Sequence, residues 1–154
     1  MAQQWSNPGK TYNMNQQQIK KIFIVDDDPY WVAILAQILK INGYEEVQTF
    51  SSGKDCLDNL HQHPELILLD HSMDLLNGVD VLRKIKRFDP DINVVFISSQ
   101  ADIEVAVTSL KYGAFDYIVK GSEEAVKLPK VLNRIAAAQS LIQKKRKWVR
   151  HGLF

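Results

Sequence analysis

The sequence predicts an α/β domain built on a five-stranded, doubly wound parallel sheet flanked by five helices. Three observations predict it. Short apolar runs recur at Ile22-Phe23-Ile24-Val25, Leu66-Ile67-Leu68-Leu69, Val94-Val95-Phe96-Ile97 and Tyr117-Ile118-Val119, and those without a polar residue suit strands of a parallel sheet covered on both faces. Stretches with apolar residues at helical spacing separate them, which is the alternation that builds right-handed βαβ units. Each run also ends in residues that carry chemistry: Asp26-Asp27-Asp28, Asp70, Ser98-Ser99 and Lys120. Doubly wound sheets place their sites at the carboxyl ends of the strands.

The elements follow in order. Residues 1–20, rich in Gln and Asn with only Trp5, Tyr12 and Met14 for bulk, offer too little apolar surface to offset the entropy of ordering and read as a flexible tail. Strand one is Ile22 to Val25. Helix one opens with Asp28 as N-cap and Pro29 at the first helical position. It carries Trp31, Ile34, Leu35, Ile38 and Ile41 on one face and stops at Gly43. A weak strand two spans Glu46 to Phe50, and helix two runs from Ser52 or Gly53 to His61. Strand three is Leu66 to Leu69. Asn77-Gly78 marks a turn, and helix three carries Val79, Leu82, Ile85 and Phe88 up to Pro90. Strand four is Asn93 to Ile97. Asp102 caps helix four, with Ile103, Ala106, Val107 and Leu110 facing inward and Gly113 ending it. Strand five is Phe115 to Val119. Helix five begins near Pro129 and runs to about Arg146, burying Val131, Leu132, Ile135, Ala138 and Ile142.

Composition bounds the function. With 45% hydrophobic residues and a formal net charge of +1 over 154 residues, the chain can bury a full core and has no global bias toward nucleic acid or membrane. A single cysteine, Cys56, excludes an intrachain disulfide and reads as a packing residue. No apolar stretch approaches the ~20 residues of a membrane span, and the amino terminus lacks the pattern of a secretory signal. A soluble cytoplasmic protein with no membrane partner is the expectation.

Carboxylates abutting buried strands repel one another and are costly unless paired or bound to a cation. Mg²⁺ accepts a few carboxylates and keeps open positions for water and phosphate, so Asp26, Asp27 and Asp70 could form its cup. A carboxylate can then serve as a nucleophile toward phosphorus, with Lys120 and the Ser98 hydroxyl contacting the phosphoryl oxygens.

These residues resemble the receiver domain of two-component response regulators. The matching motifs are Ile24-Val25-Asp26-Asp27-Asp28-Pro29, Leu68-Leu69-Asp70, Asn77-Gly78, Phe96-Ile97-Ser98-Ser99 and Asp116-Tyr117-Ile118-Val119-Lys120, in the family's order and separations along about residues 20 to 143. The resemblance implies a flavodoxin-like strand order 2-1-3-4-5 and a receiver domain over residues 21–143, followed by a basic extension over 144–154. It implies that Asp70 is phosphorylated by a histidine kinase or phosphotransfer protein. Asp26, Asp27, Asp70 and the Ser72 backbone carbonyl would hold Mg²⁺, Ser98 and Tyr117 would act as the switch pair, and Lys120 would pair with the phosphate. Ser72 and Gln100 would tune hydrolysis of the aspartyl-phosphate. The output would be a changed helix four–strand five–helix five face, available to a downstream protein or to a second copy as a homodimer. Such a chain is a signalling phosphoacceptor rather than an enzyme with an external substrate. With only about ten residues after helix five it reads as a stand-alone receiver or one excised from a longer protein.

Two positions depart from the family pattern. Asp74 stands where a proline is common. Gly121 follows Lys120 where a cis proline is common, and a trans bond is expected here because a non-proline cis bond costs ~3–4 kcal/mol.

Rival readings use the same residues. Asp26-Asp27-Asp28 superficially offers the Asp-x-Asp of a haloacid-dehalogenase-type phosphatase, although such enzymes need a cap and more chain. A receiver-like interaction module that is never phosphorylated is the other rival, and the full set Asp26, Asp27, Asp70, Ser98 and Lys120 argues against it. His71 has no partner at ligand spacing, and His61 and His63 read as exposed loop residues. The run Lys144-Lys145-Arg146-Lys147-Trp148-Val149-Arg150 reads as a solvated helix end rather than a DNA-binding element, since cations favour helix carboxyl termini and no helix-turn-helix follows.

Overall fold

The computed structural model describes residues 19–73, 75–99, 101–121 and 123–152. The readings of residues 1–18, Asp74 and Gln100 fall outside them. Strands β1 (Ile22–Val25), β2 (Val47–Phe50), β3 (Leu66–Leu69), β4 (Asn93–Ser98) and β5 (Asp116–Val119) alternate with helices α1 (Pro29–Ile41), α2 (Gly53–Asp58), α3 (Gly78–Phe88), α4 (Ile103–Lys111) and α5 (Glu124–Arg150). They form one five-stranded sheet in the order β2-β1-β3-β4-β5, with every pairing parallel. The expected α/β fold, its doubly wound sheet and its strand order are thus observed.

Alternation along the strands divides the core into two layers. Ile22, Ile24, Leu66, Leu68, Val95, Ile97 and Ile118 pack with Leu35 and Leu39 of α1 and Leu128, Leu132 and Ile135 of α5. Phe23, Val25, Ile67, Leu69, Val94 and Phe96 pack with Cys56 of α2 and Val81, Leu82 and Ile85 of α3. Both faces of the sheet are therefore covered, which is why the central strands tolerate unbroken apolar runs. The core begins at Ile19, which is buried, two residues before the expected start of the domain.

Side-chain caps set the helix starts. Asp28 Oδ1 accepts the Tyr30 N–H at 2.9 Å, Ser52 Oγ accepts the Asp55 N–H at 3.1 Å, and Asp102 Oδ1 accepts the Glu104 N–H at 2.9 Å. Asn77 is a cap rather than only a turn residue, its Oδ1 accepting the Val79 N–H at 2.8 Å.

Several expectations are corrected. Helix α2 ends at Asp58, and Leu60–Gln62 form a separate 3₁₀ turn. On α1, Ile41 is exposed and Leu39 takes the buried position. On α3, Phe88 is exposed and Val81 is buried. Helix α4 is turned away from its expected orientation: Ile103 is 80% exposed and Val107 59%, while Ser109 is buried and its hydroxyl bonds the Ala106 carbonyl at 2.8 Å. The buried side of this short helix is thus held by Ser109, and its bulkier apolar side chains remain outside. Helix α5 starts at Glu124, before Pro129, because the buried Leu128 fastens its first turn to the core. It runs to Arg150, and Ile142 is exposed rather than buried.

Candidate functional site

Strand register gathers the site. Val25 pairs with Leu69, so the next residues, Asp26 and Asp70, stand side by side at the carboxyl ends of β1 and β3. The Asp70 N–H donates to the Val25 carbonyl at 2.9 Å and the Asp26 N–H to the Phe50 carbonyl at 3.0 Å, fixing both backbones. Across the sheet the Lys120 N–H donates to the Ser98 carbonyl at 2.8 Å, bringing the end of β5 to the end of β4.

Three of these side chains form a buried charge cluster. Lys120 Nζ lies 2.6 Å from Asp26 Oδ2 and 3.3 Å from Asp70 Oδ1, with the Lys120, Asp26 and Asp70 side chains all nearly inaccessible. Asp26 Oδ1 also accepts the Asp28 N–H at 2.9 Å, which ties the acidic loop to the start of α1. Burial pushes the Asp70 carboxyl above the ordinary carboxylate range; Lys120 draws it back down, and the neighbouring Asp26 pushes it up again. The Ser72 backbone adds a hydrogen bond to Asp70 that favours the ionised form.

This donor set fits a hard divalent cation. Asp26, Asp27 and Asp70 each offer a carboxylate oxygen, and the three atoms lie within 4.8 Å of one another. Asp26 Oδ2 and Asp70 Oδ1 are buried and face the Lys120 ammonium at 2.6 and 3.3 Å. All three are oxygen ligands, which suits Mg²⁺ rather than a soft metal. Asp27 is exposed, so the cup is open on the side from which water or phosphate would enter.

The other expected residues that the structure describes lie on β4, on β5 and on the loop after β3. Ser98 is fully buried at the end of β4. Tyr117 is half-buried on β5 with its ring stacked on Phe96, centroids 6.2 Å apart. Ser72 is exposed on the loop after β3. The Lys120–Gly121 bond is trans, as expected, and Gly121 has φ +87°.

Two further residues stand near the site, Trp31 with a contact that the sequence reading missed and His71, which was read there only as a weak metal ligand. The Trp31 ring lies under the Lys120 ammonium, 5.4 Å from centroid to Nζ, although its spacing assigned it only to the core face of α1. His71 packs near Phe96, with its Nδ1 buried. The basic residues 144–150 are exposed. Arg146 pairs with Asp91, just before β4, so this segment lies at the opposite end of the strands from the carboxylates.

Comparison with known proteins agrees with this geometry. The chain is 25% identical over 118 residues to the chemotaxis protein CheY of Thermotoga maritima, covering 76% of this chain and 98% of that one. It is 35% identical over 101 residues to the transcriptional regulatory protein PrrA of Mycobacterium leprae, covering 65% of this chain but 43% of the regulator. Among solved structures, a response regulator receiver domain protein from Clostridium thermocellum superposes with a TM-score of 0.73 at 28% identity, covering 80% of this chain and 98% of that one. CheY in the CheX-CheY-BeF3-Mg complex of Borrelia burgdorferi matches with a TM-score of 0.68 at 27% identity, covering 74% of this chain and 87% of that one. The profile of the response regulator receiver domain matches residues 22–133, the span that holds the whole sheet and the carboxylate cluster, and the chain belongs to that family.

Proposed function

We propose that the protein is a Mg²⁺-dependent phosphoacceptor, phosphorylated on Asp70 by a histidine kinase or histidine phosphotransfer protein. The observation that carries this reading is the convergence of Asp26, Asp27 and Asp70 with Lys120 at the carboxyl ends of the sheet. Asp26, Asp27, Asp70 and the Ser72 carbonyl would hold the cation. Its charge would offset the repulsion between the carboxylates and an anionic phosphoryl donor.

A carboxylate oxygen of Asp70 attacks phosphorus, the phosphorus–nitrogen bond of the donor's phosphohistidine breaks, and its electron pair returns to the imidazole. The product is a mixed anhydride on Asp70. Lys120 neutralises charge on the transferred oxygens, and the Ser98 hydroxyl donates to one of them. Ser72 and Gln100 would set water access, hence the lifetime of the anhydride.

The added charge of roughly −1.5 to −2 biases Ser98 and Tyr117 toward the phosphate, and the α4–β5–α5 face follows by a shift in population. Exposed Ile103, Val107 and Leu110 on α4 support that face as the output surface, for a downstream protein or a second copy. The protein works in the cytoplasm in this reading, as a signalling domain whose only chemistry is its own phosphotransfer and dephosphorylation.

Labelling with acetyl phosphate and Mg²⁺, followed by intact-mass analysis, tests the reading. Label on the wild type that is absent from Asp70→Asn is the expected result. Loss only in Asp26→Asn would point to a first-strand nucleophile of the haloacid-dehalogenase type, and no label on the wild type would leave an interaction module.

A further inference from the structure

The Lys120 ammonium has a third neighbour besides its two carboxylates. Asp28 caps α1 and Pro29 is its first residue, so Trp31 sits in the first turn, directly beside the carboxyl ends of β1 and β3. Side chains on a helix lean toward its amino terminus, which carries the indole over the site, where its face meets the ammonium at 5.4 Å.

The backbone on either side of Lys120 is held by the Lys120 N–H bond to the Ser98 carbonyl at 2.8 Å and the Gly121 N–H bond to Glu124 Oε2 at 2.9 Å, which leaves the direction of the ammonium to its side-chain neighbours. Strand β5 ends at Val119. Gly121 follows with φ +87°, and a Cβ built there would meet nothing within 4 Å. The ammonium meets Asp26 and Asp70 at ion-pair distance. Asp26 is also the nearer partner and belongs to the carboxylate set that fits a cation. When a cation shares Asp26, that carboxylate holds the ammonium less tightly. The indole is neutral and is unaffected by this exchange, and a ring face attracts a desolvated ammonium.

We infer that Trp31 is a positioning residue that keeps the Lys120 ammonium beside Asp70 through its ring face, so that Lys120 stays available to phosphoryl oxygens once a cation has engaged Asp26. The inference rests on Asp70 being the phosphoacceptor. Trp31 acts through its contact with Lys120.

The test compares Trp31→Leu with Trp31→Phe, each also in a Lys120→Met background. One readout is the initial rate of labelling by acetyl phosphate at saturating Mg²⁺. The other is the urea midpoint of the metal-free protein. Trp31→Leu should label about fivefold more slowly, the factor that an ammonium–ring contact of this kind is worth. Trp31→Phe, which keeps a ring face, should stay within about twofold of wild type on the same basis. In the Lys120→Met background the Leu and Phe variants should label alike, and the midpoint shift from Trp31→Leu should shrink. Equal rates for Leu and Phe beside Lys120, or identical Trp31→Leu effects in both backgrounds, would overturn the inference while leaving Asp70 as phosphoacceptor. A wild type that takes no label would remove the phosphoacceptor reading and this inference with it.

Discussion

Lys120 Nζ stands nearer to Asp26 than to Asp70, at 2.6 Å against 3.3 Å. The lysine is therefore first the counter-charge of the carboxylate that follows β1 and reaches the one that follows β3 second. Two acids so close, with Asp70 pushed toward its protonated form by burial, need this cation or another one.

Lys120→Gln removes that counter-charge. Deleting one member of a buried ionic group costs about 3–5 kcal/mol when the partner stays charged and unpaired, and the open side at Asp27 lowers this here. We expect a loss of about 2–3 kcal/mol in urea unfolding with EDTA present, below the full cost of a broken buried pair. Saturating Mg²⁺ should recover most of it, because a ligand that binds only the folded state stabilises by mass action. The same addition should stabilise the wild type less, since Lys120 already occupies the charge niche. Equal Mg²⁺ stabilisation of both proteins would contradict the picture.

Gly78 begins α3 beside the loop that leaves Asp70. A Cβ at this position would lie 2.8 Å from Phe96 Cε1, 2.9 Å from His71 Cα and 3.1 Å from the Asp70 carbonyl oxygen. Two of the three are backbone atoms, so the clash cannot be relieved by a rotamer change. Gly78→Ala should cost about 1–3 kcal/mol, as overpacking in a close-packed site does. It should also slow labelling at Asp70 more than a core substitution of equal destabilisation, for example Val81→Ala, because the displaced backbone carries the nucleophile.

Cys56 faces the Phe23 and Leu69 side of the sheet, and burial pushes its thiol up to about 12. A raised thiol value means that the fold favours the protonated form. The resulting stability is complete below the ordinary thiol value and is lost as pH climbs from there toward about 12. Below pH 9 the native thiolate fraction is negligible. Labelling by Ellman's reagent should then proceed no faster than unfolding, and should become immediate in denaturing urea. Fast labelling of the folded protein at pH 8 would contradict this burial.

The strands were legible from sequence because two-sided burial leaves uninterrupted apolar runs such as Leu66–Leu69, and these cannot be mistaken for amphipathic surfaces. The acids and lysine of the site were legible for the complementary reason: Asp26, Asp70 and Lys120 directly follow such runs, where an unpaired charge would be costly. Helix orientation was harder. Ile41, Phe88 and Ile142 carry helical spacing and are nevertheless exposed, while Leu39 and Val81 hold the buried positions, because periodicity gives an apolar arc without its phase relative to the sheet. Trp31 was read as core for the same reason. Spacing places it near the sheet, but only the start of α1 at Pro29 shows that it lies at the strand ends beside Lys120. Proline at 129 suggested a helix start by its usual preference, yet tertiary packing of Leu128 extends α5 a full turn further.

Helix α4 gives the sharpest case, and a direct check. Its sequence pattern places Ile103, Val107 and Leu110 inward, whereas the structure exposes all three and buries Ser109. Were the pattern right, Ile103→Asn and Val107→Asn would each remove a buried aliphatic side chain and cost about 2–5 kcal/mol. With these residues outside, each should shift stability by less than about 0.5 kcal/mol, as exposed substitutions do. Ser109→Leu, by contrast, forces bulk into a packed contact and breaks the bond to the Ala106 carbonyl, at a cost of about 1–3 kcal/mol. Urea unfolding of the three variants distinguishes the two orientations. A neutral outcome at 103 and 107 also leaves this apolar surface free of a folding role. Sedimentation of the phosphorylated and unphosphorylated protein then reads whether self-association depends on the same two side chains, the behaviour expected if α4 contributes to the output face.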